Sequence, residues 1–211
     1  MLVVGDSVAY GYAYGLEVWS KGRKDLSASN AAQLGCPVAR GGSFRFLRNY
    51  NTFESHCDWS TTFPRWVRER DPNVVVLSSG IWEVVDRKLP GDDRWRHVGQ
   101  PQFDDYLLRE FLAAIDALAA KGATVVLLTY PHFDAGQDQG FTGLPESDPA
   151  RVDRLNELLR QAVSMRPGVA TLIDFQAWLA QQPGGEIDPA KRQDGLHFKD
   201  AYVPTIGAWL G

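Results

Sequence analysis

The chain contains little cysteine, no long apolar run and no strong excess of charge of one sign. Of its 211 residues only two are cysteine, and the formal net charge is −4. This mixed charge is unlike the basic surface that a nucleic-acid-binding domain presents. The longest purely apolar runs, such as residues 74–77, are far too short to cross a bilayer. We therefore expect neither a nucleic-acid partner nor a membrane span within this sequence.

The two cysteines, Cys36 and Cys57, are too few for a metal site, and no Cys/His cluster lies near them. They are either two buried thiols or one disulfide, which would stabilise the fold by about 3 kcal/mol. A disulfide would require an oxidising compartment. The sequence leaves both alternatives open.

The length suits one compact domain, residues 1–211. No basic and apolar leader is present, and strand-forming sequence begins directly after Met1. Two origins fit this beginning: a soluble cytoplasmic protein, or a domain cut from a longer chain. The abrupt start within a strand favours the longer chain.

Apolar runs alternate with helical patterns along the sequence, which predicts a parallel sheet with helices on both faces. The segments 33–51, 86–101 and 132–149 are predicted to be loops or irregular. The other elements follow in order. Strands are predicted at 2–5, 26–31, 74–79, 124–130 and 169–174, and helices at 8–19, 62–70, 103–121, 150–165, 175–180 and 200–210.

The first strand ends in Gly5-Asp6-Ser7, and a helical segment follows. A Ser7 hydroxyl at this point lies at the carboxyl end of the sheet, where open α/β sheets bind their ligands. Helical N–H groups nearby favour negative charge on a reacting oxygen. The simpler alternative is a strand-ending turn with a capping serine.

Asp194 and His197 lie three residues apart, just before the last helix. Serine is a poor nucleophile until a base takes its proton, and histidine is the natural base near neutral pH. An aspartate bonded to the other ring nitrogen fixes the tautomer and stabilises the imidazolium. Alone, this segment could also be a helix start with an incidental histidine. Together with Gly-Asp-Ser it predicts a serine, histidine and aspartate catalytic group.

These two segments resemble the first and last conserved blocks of the SGNH (GDSL) hydrolases, and Gly35 is similar to the glycine of the second block. More narrowly, residues 79–84 and 194–198 look like the SGNH domains attached to bacterial membrane acyltransferases that modify cell-surface sugars and glycolipids. The resemblance implies a three-layer α/β/α sandwich, SGNH hydrolase or flavodoxin-like, with a central, mostly parallel sheet. It also implies a position outside the cytoplasm, which suits a Cys36–Cys57 bridge.

The third block departs from the family pattern. The family usually has Gly-x-Asn-Asp, whose Asn amide donates to the oxyanion, whereas this sequence has Gly80-Ile81-Trp82-Glu83. Either the Trp82 indole N–H is the donor, or the backbone N–H groups of Ser7 and Gly35 suffice, or catalysis has been lost. Trp82 as ordinary packing is equally open.

The remaining polar side chains are given simpler interpretations. Glu83 and Asp86 are expected to be solvated loop carboxylates. His56, His97 and His132 are expected to be structural or at the surface, although His132 follows a strand. Three arginines near the second block are predicted to be solvated, with contact to an anionic glycan or lipid head group as the alternative: Arg40, Arg45 and Arg48.

The function that the resemblance implies is acyl transfer from an oxygen ester, with Ser7 as nucleophile, His197 as base and Asp194 orienting it. The oxyanion would be bound at Ser7 and Gly35, with Trp82 as a further donor, and no metal or organic cofactor would be needed. The expected substrate is an acylated glycan or glycolipid, with a fused or associated membrane acyltransferase domain as partner. Three alternatives remain: a free-standing lysophospholipase, thioesterase or carbohydrate esterase; a glycan-binding domain with little activity; and an unrelated α/β protein.

Overall fold

The computed structural model describes residues 1–211. The nine strands in chain order are β1 Leu2–Gly5, β2 Ser29–Asn30, β3 Ser43–Phe46, β4 Asn49–Thr52, β5 Val74–Ser78, β6 Asp86–Lys88, β7 Trp95–Arg96, β8 Thr124–Leu128 and β9 Ala170–Ile173. The seven α-helices are α1 Ser7–Ser20, α2 Trp59–Arg70, α3 Ile81–Val84, α4 Pro101–Leu118, α5 Pro149–Ser164, α6 Phe175–Ala180 and α7 Val203–Leu210.

The central sheet has five parallel strands in the order β2-β1-β5-β8-β9. Helix α1 packs against α7, α2 packs against α4, and α4 packs against α5. The predicted parallel sheet flanked by helices is confirmed. The order of connection reverses between β1 and β5, and such a switch point is where open parallel sheets bind ligands.

The strands β1, β5 and β8 form because their sequences are largely continuous apolar runs that can be covered on both faces. In β1 and β5 the side chains of Leu2, Val3, Val4 and Val75 are fully buried. Helix α4 begins at a proline, which is well suited to a first helical turn. Its apolar side chains recur at helical spacing and are fully buried, including Phe103, Leu107, Phe111 and Ile115.

A second sheet was not predicted. It has four antiparallel strands in the order β4-β3-β6-β7. All residues of these strands except Thr52, the last of β4, lie in the segments 33–51 and 86–101 that are predicted from sequence to be loops or irregular. The prediction was wrong there because the strands are two to four residues long and β4 is exposed along its whole length. Such short polar strands lack the apolar pattern that identifies a strand.

The second sheet packs its aromatic side chains around one ring near the carboxyl ends of β1 and β5. The ring centroids of Phe44, Phe46 and Phe53 lie 5.3, 5.0 and 6.0 Å from that of Trp82. Cys36 and Cys57 are joined in a disulfide. Cys57 lines the same surface concavity as Phe53. None of the helices combines the length and apolar composition that spanning a bilayer requires.

Candidate active site

Ser7 is the first residue of α1, directly after β1. The preceding Gly5 has φ of +136°, and a Cβ there would lie 1.7 Å from the carbonyl oxygen of Ser78 on β5, so only glycine fits. Asp6, rather than Ser7, caps the helix, because its Oδ1 accepts hydrogen bonds from the backbone N–H groups of Val8 and Ala9. The Ser7 hydroxyl is therefore not used as a cap.

The Ser7 hydroxyl lies instead against the imidazole of His197. The distance from Ser7 Oγ to His197 Nε2 is 2.7 Å, and His197 Nδ1 lies 2.6 Å from Asp194 Oδ2. The other carboxylate oxygen of Asp194 accepts from the backbone N–H groups of Leu196 and His197. The structure thus brings together three groups that are up to 190 positions apart in sequence.

The turn that carries Asp194 and His197 depends on a glycine and on a buried arginine. Gly195 has φ of +79°, and its carbonyl accepts from the N–H of Asp134 in the loop after β8. The guanidinium of Arg192 is fully buried and donates to the backbone carbonyls of Leu196 and His132. The role of Arg192 was not predicted, since nothing in the polar sequence around it indicates that this arginine will be buried.

The charges around His197 favour its protonated form. The hydrogen bond that His197 donates to Asp194 raises the pKa of His197, burial opposes this effect, and the negative charges of Asp194 and Asp6 add to it. Burial alone would raise the pKa of Asp194, but hydrogen bonds from the ring and backbone of His197 and from Leu196 lower it to about 2. Asp194 is therefore a carboxylate across the physiological pH range, able to stabilise an imidazolium.

Three N–H groups near Ser7 have no acceptor within the protein. The backbone N–H groups of Ser7 and Gly35 donate no hydrogen bond, and the indole Nε1 of Trp82 is buried without a partner. Trp82 lines a cavity of about 150 Å³ together with Ser7 and His197. A buried donor without a partner is costly, and the indole N–H of Trp82 is thus a donor that no group of the protein uses.

Glu83 is not a solvated loop carboxylate, so that prediction was wrong. Its side chain is fully buried, and it accepts hydrogen bonds from the backbone N–H groups of Val38 and Ala39 and from the Ser79 hydroxyl. Burial raises the pKa of Glu83. These bonds tie the segment after Cys36 to α3, the helix that carries Trp82.

The carboxyl of Asp6 is also fully buried, and its Oδ2 has no partner. Burial and the charge of Glu83 raise the pKa of Asp6 to about 7, against the effect of its two backbone hydrogen bonds. Asp86, in contrast, is partly exposed and pairs with Arg151 at 2.8 Å. The buried carboxyls of Asp6 and Glu83 therefore titrate unlike ordinary surface acids.

A second and more open cleft adjoins Ser7 and His197. Its volume is about 440 Å³, and its other lining residues come from α1, from the segment around Gly35, from the segment before α7 and from the first residue of α7: Tyr10, Gly11, Tyr14, Leu34, Gly35, Gln193, Phe198, Asp200 and Val203. Leu34, Tyr10 and Tyr14 are exposed. The Ser7–His197 pair therefore separates a small cavity from a larger cleft.

The other histidines and arginines named in the sequence analysis lie elsewhere. The ring of His132 pairs with Asp153 and Glu186 and does not line either space beside Ser7. The largest concavity, about 560 Å³, lies beside the disulfide, where Arg40 is already paired with Glu110 at 2.7 Å. Arg45 and Arg48 stack over the rings of Trp95 and Phe141.

A cation site near the disulfide is also excluded. Donor atoms of Cys36, His56 and Cys57 come within 4.8 Å of one another. Both sulfur atoms are bonded to each other, so neither is available as a thiolate ligand. We assign no metal to this group.

Solved structures with the same fold include several esterases. The chain aligns with TesA over 99% of its length and 95% of that chain, with 17% identity and a TM-score of 0.59. It aligns with an acetyl xylan esterase, AlAXEase, over 100% and 98%, with 16% identity and a TM-score of 0.61. For Axe2, an acetylxylan esterase from Geobacillus stearothermophilus, the coverages are 99% and 90%, the identity 16% and the TM-score 0.60.

The sequence itself matches a family model. A search of curated protein sequences finds no significant match. The model of the SGNH domain, described as fused to AT3 domains, matches residues 1–200. The chain therefore belongs to the SGNH family, in the group whose domains are described as fused to AT3 domains.

Proposed function

We propose that this chain is a serine esterase or O-acyltransferase that acts on acyl groups of cell-surface carbohydrate or glycolipid. The observation that carries the proposal is the continuous hydrogen-bonded series from Ser7 Oγ to His197 Nε2 at 2.7 Å and from His197 Nδ1 to Asp194 Oδ2 at 2.6 Å. A hydroxyl, a base and an orienting carboxylate in this order are what nucleophilic catalysis by serine requires.

In the proposed reaction, Ser7 Oγ attacks the ester carbonyl while its proton passes to His197 Nε2. The tetrahedral oxyanion is bound by the N–H groups of Ser7 and Gly35 and by the indole of Trp82. The ester C–O bond then breaks, and the alcohol leaves with the proton from His197. Water or a sugar hydroxyl next gives its proton to His197 and attacks the acyl carbonyl, and as the bond to Ser7 Oγ breaks His197 returns the proton to that oxygen. The steps need no metal or organic cofactor.

The small cavity favours short acyl groups. A cavity of 150 Å³ holds about six carbon atoms, the size of benzene, and the space beside Ser7 is of this volume. Its apolar lining includes Phe46, Leu47 and Trp82. We therefore propose acetyl or another short acyl group, in place of a long lipid chain.

The biological setting follows from the family and the disulfide. We propose that residues 1–211 are one domain of a longer, membrane-anchored chain, or act with a separate membrane acyltransferase that supplies the acyl group. The description of the family as fused to AT3 domains supports this partner. The Cys36–Cys57 disulfide supports a place on the extracytoplasmic face of a bacterial membrane, since disulfides persist in oxidising compartments.

The test of the proposed function is labelling with a fluorophosphonate, followed by mass spectrometry of the peptides. We expect one adduct, on Ser7, together with turnover of p-nitrophenyl acetate that the label abolishes. Ser164→Ala is the matched control, because Ser164 is an exposed serine whose hydroxyl bonds only to the Gln161 carbonyl. Binding of an acylated sugar without labelling or turnover would indicate a binding domain and contradict the proposal.

Trp82→Phe tests the indole as an oxyanion donor. We expect kcat to fall by roughly 10²–10³, the usual effect of losing one such donor, with little change in KM. The phenyl ring keeps most of the packing against Phe44 and Phe46, so the melting temperature should fall only slightly. Trp178→Phe, a change in a ring stacked on Trp209, should leave kcat unchanged. If kcat of Trp82→Phe is also unchanged, the two backbone N–H groups are sufficient.

A further inference from the structure

We propose that the open cleft beside Ser7 is the binding site for the sugar ring of the substrate, with Tyr10 and Tyr14 as its stacking surface. This inference rests on the proposed function, which supplies the ester. The two spaces beside Ser7 and His197 then hold the two parts of the ester. The small cavity lined by Trp82 takes the acyl group, and the larger cleft takes the alcohol.

The first support is the exposure of the aromatic side chains on α1. Tyr10 and Tyr14 are four residues apart and thus on one face of the helix. They are 53% and 46% exposed, whereas Tyr12 between them is 1% exposed and packs against Phe175 at 5.1 Å. Of these three tyrosines, only Tyr12 packs in the core. The rings of Tyr10 and Tyr14 lie outside it.

The second support is the clustering of exposed apolar groups. Eight large apolar or aromatic side chains are exposed in the whole molecule, and three of them, Tyr10, Tyr14 and Leu34, line this one cleft. Single exposed apolar residues are ordinary, but a contiguous group marks a binding surface. Because the same cleft is lined by Ser7 and His197, a molecule bound there reaches the reacting atoms.

The third support is Gly11, which lies between the two tyrosines and lines the cleft. Glycine weakens a helix interior, yet the fold does not require it here. Its backbone φ is not positive, and a Cβ at Gly11 would meet only Val203 Cγ2, at an ordinary 3.7 Å. Gly15, one turn later, is different, because a Cβ there would lie 2.5 Å from the Val203 carbonyl oxygen. The missing side chain of Gly11 keeps the cleft open.

The chemistry of the lining identifies a sugar as the occupant. A pyranose has a face of C–H groups, which packs on aromatic rings, and a rim of hydroxyls, which needs polar partners. Gln193 and Asp200 supply an amide and a carboxylate in the same cleft. A cleft of 440 Å³ lies within the ordinary range for small-molecule sites. The carboxylate disfavours an anionic ring at this position, so we assign a neutral sugar.

The test compares two monoacetate esters that differ only in the alcohol: methyl glucoside carrying one acetyl group, with its other hydroxyls free, and ethyl acetate. For Tyr10→Ala/Tyr14→Ala we expect the ratio of kcat/KM for the glucoside to that for ethyl acetate to fall about tenfold, mainly through KM, as for the loss of two aromatic contacts. Tyr10→Trp/Tyr14→Trp, which keeps a ring at both positions, should retain the ratio. Tyr50→Ala, a change in an exposed tyrosine on β4, should leave both rates unchanged.

Gly11→Leu provides a second variant whose effect cannot be attributed to a damaged fold. Leucine favours the helix, so we expect the melting temperature to stay the same or rise, while the side chain fills the cleft and lowers the same ratio. An unchanged ratio in both the double alanine variant and Gly11→Leu would overturn the sugar site. That result would leave the cleft to another occupant, such as a protein domain.

Binding is also measured without catalysis, so that failure of the sugar site and failure of the proposed function can be told apart. Saturation-transfer NMR on Ser7→Ala with the monoacetylated methyl glucoside should show transfer to the ring C–H protons, and Tyr10→Ala/Tyr14→Ala in that background should remove it. Transfer without any esterase activity in the unmodified chain would preserve the sugar site and reject the enzyme. Esterase activity with no transfer at millimolar glucoside would reject the sugar site and preserve the enzyme.

Discussion

Replacing His197 with alanine should lower kcat for p-nitrophenyl acetate by roughly 10⁵–10⁶, about the effect of removing the base from a serine hydrolase. The reason is that Ser7 Oγ lies 2.7 Å from His197 Nε2, and no other base of the chain is hydrogen-bonded to this hydroxyl. Without the imidazole, the proton of Ser7 has no acceptor, so the hydroxyl is as poor a nucleophile as any alcohol. The measurement is the initial rate at saturating ester, with active sites counted by fluorophosphonate titration of the unmodified chain.

The sharper form of this test is the double variant Ser7→Ala/His197→Ala. Since nucleophile and base act as one unit, the double variant should be no slower than either single variant. Losses that multiply would mean that the two side chains act independently and would contradict the proposed mechanism. His132→Ala is the matched control, because His132 also contacts a carboxylate, Asp153 at 2.8 Å, but does not line the spaces beside Ser7. Its rate should equal that of the unmodified chain.

The parallel sheet was predictable from sequence because its strands carry their own signal. The run Val74–Leu77 is apolar without alternation, which is typical of a strand buried on both faces. Helix α6 was predicted with its observed ends, Phe175 and Ala180. The antiparallel sheet was not predictable, because strands such as Asn49–Thr52 are polar and exposed, and because the sheet is completed by the pairing of β3 with β6, which is distant in sequence.

The candidate site also contains residues that the sequence predicts and residues that it does not. Gly5-Asp6-Ser7 and Asp194–His197 could be proposed as site residues because each is a local motif beside the carboxyl end of a strand or before the last helix. The burial of Glu83 could not be predicted, because its partners, the N–H groups of Val38 and Ala39, are 45 and 44 positions away. The alternative of a capping serine could not be decided from the sequence, since Asp6 and Ser7 are both good capping residues. The observed hydrogen bonds decide between the two residues, because the Asp6 carboxylate accepts from the helix N–H groups whereas the Ser7 hydroxyl contacts His197.

The change Asp194→Asn should lower kcat by about 10⁴, the effect seen when the orienting aspartate of a serine hydrolase becomes an amide. The carbonyl oxygen of the new side-chain amide can still accept from the backbone N–H groups that now bond to Asp194 Oδ1, those of Leu196 and His197. The turn should therefore keep its shape. The amide NH₂, however, faces His197 Nδ1, so the ring must carry its proton on Nε2, where it cannot accept the proton of Ser7.

The pH profile distinguishes this electrostatic effect from a structural one. The proposed mechanism needs neutral His197, and its pKa is raised by Asp194, with a smaller contribution from Asp6 and an opposing one from Arg192. In the unmodified chain kcat/KM should therefore rise with pH through a midpoint above the ordinary histidine value of about 6.5. In Asp194→Asn the stabilising charge is gone, so the residual activity should have its acid limb at lower pH.

The matched control is Asp153→Asn, which removes a carboxylate from the other Asp–His pair of the chain, 2.8 Å from His132 Nε2. Both kcat and the acid limb should be unchanged in that variant. A loss of activity in Asp194→Asn with the acid limb unmoved would mean that Asp194 only holds the turn, because a purely structural role leaves the pKa of the remaining active molecules where it was. A shifted limb with a large loss in kcat requires that the charge of Asp194 acts on the imidazole itself. It identifies His197 as the base that takes the proton of Ser7, with Asp194 remaining a carboxylate that stabilises the imidazolium.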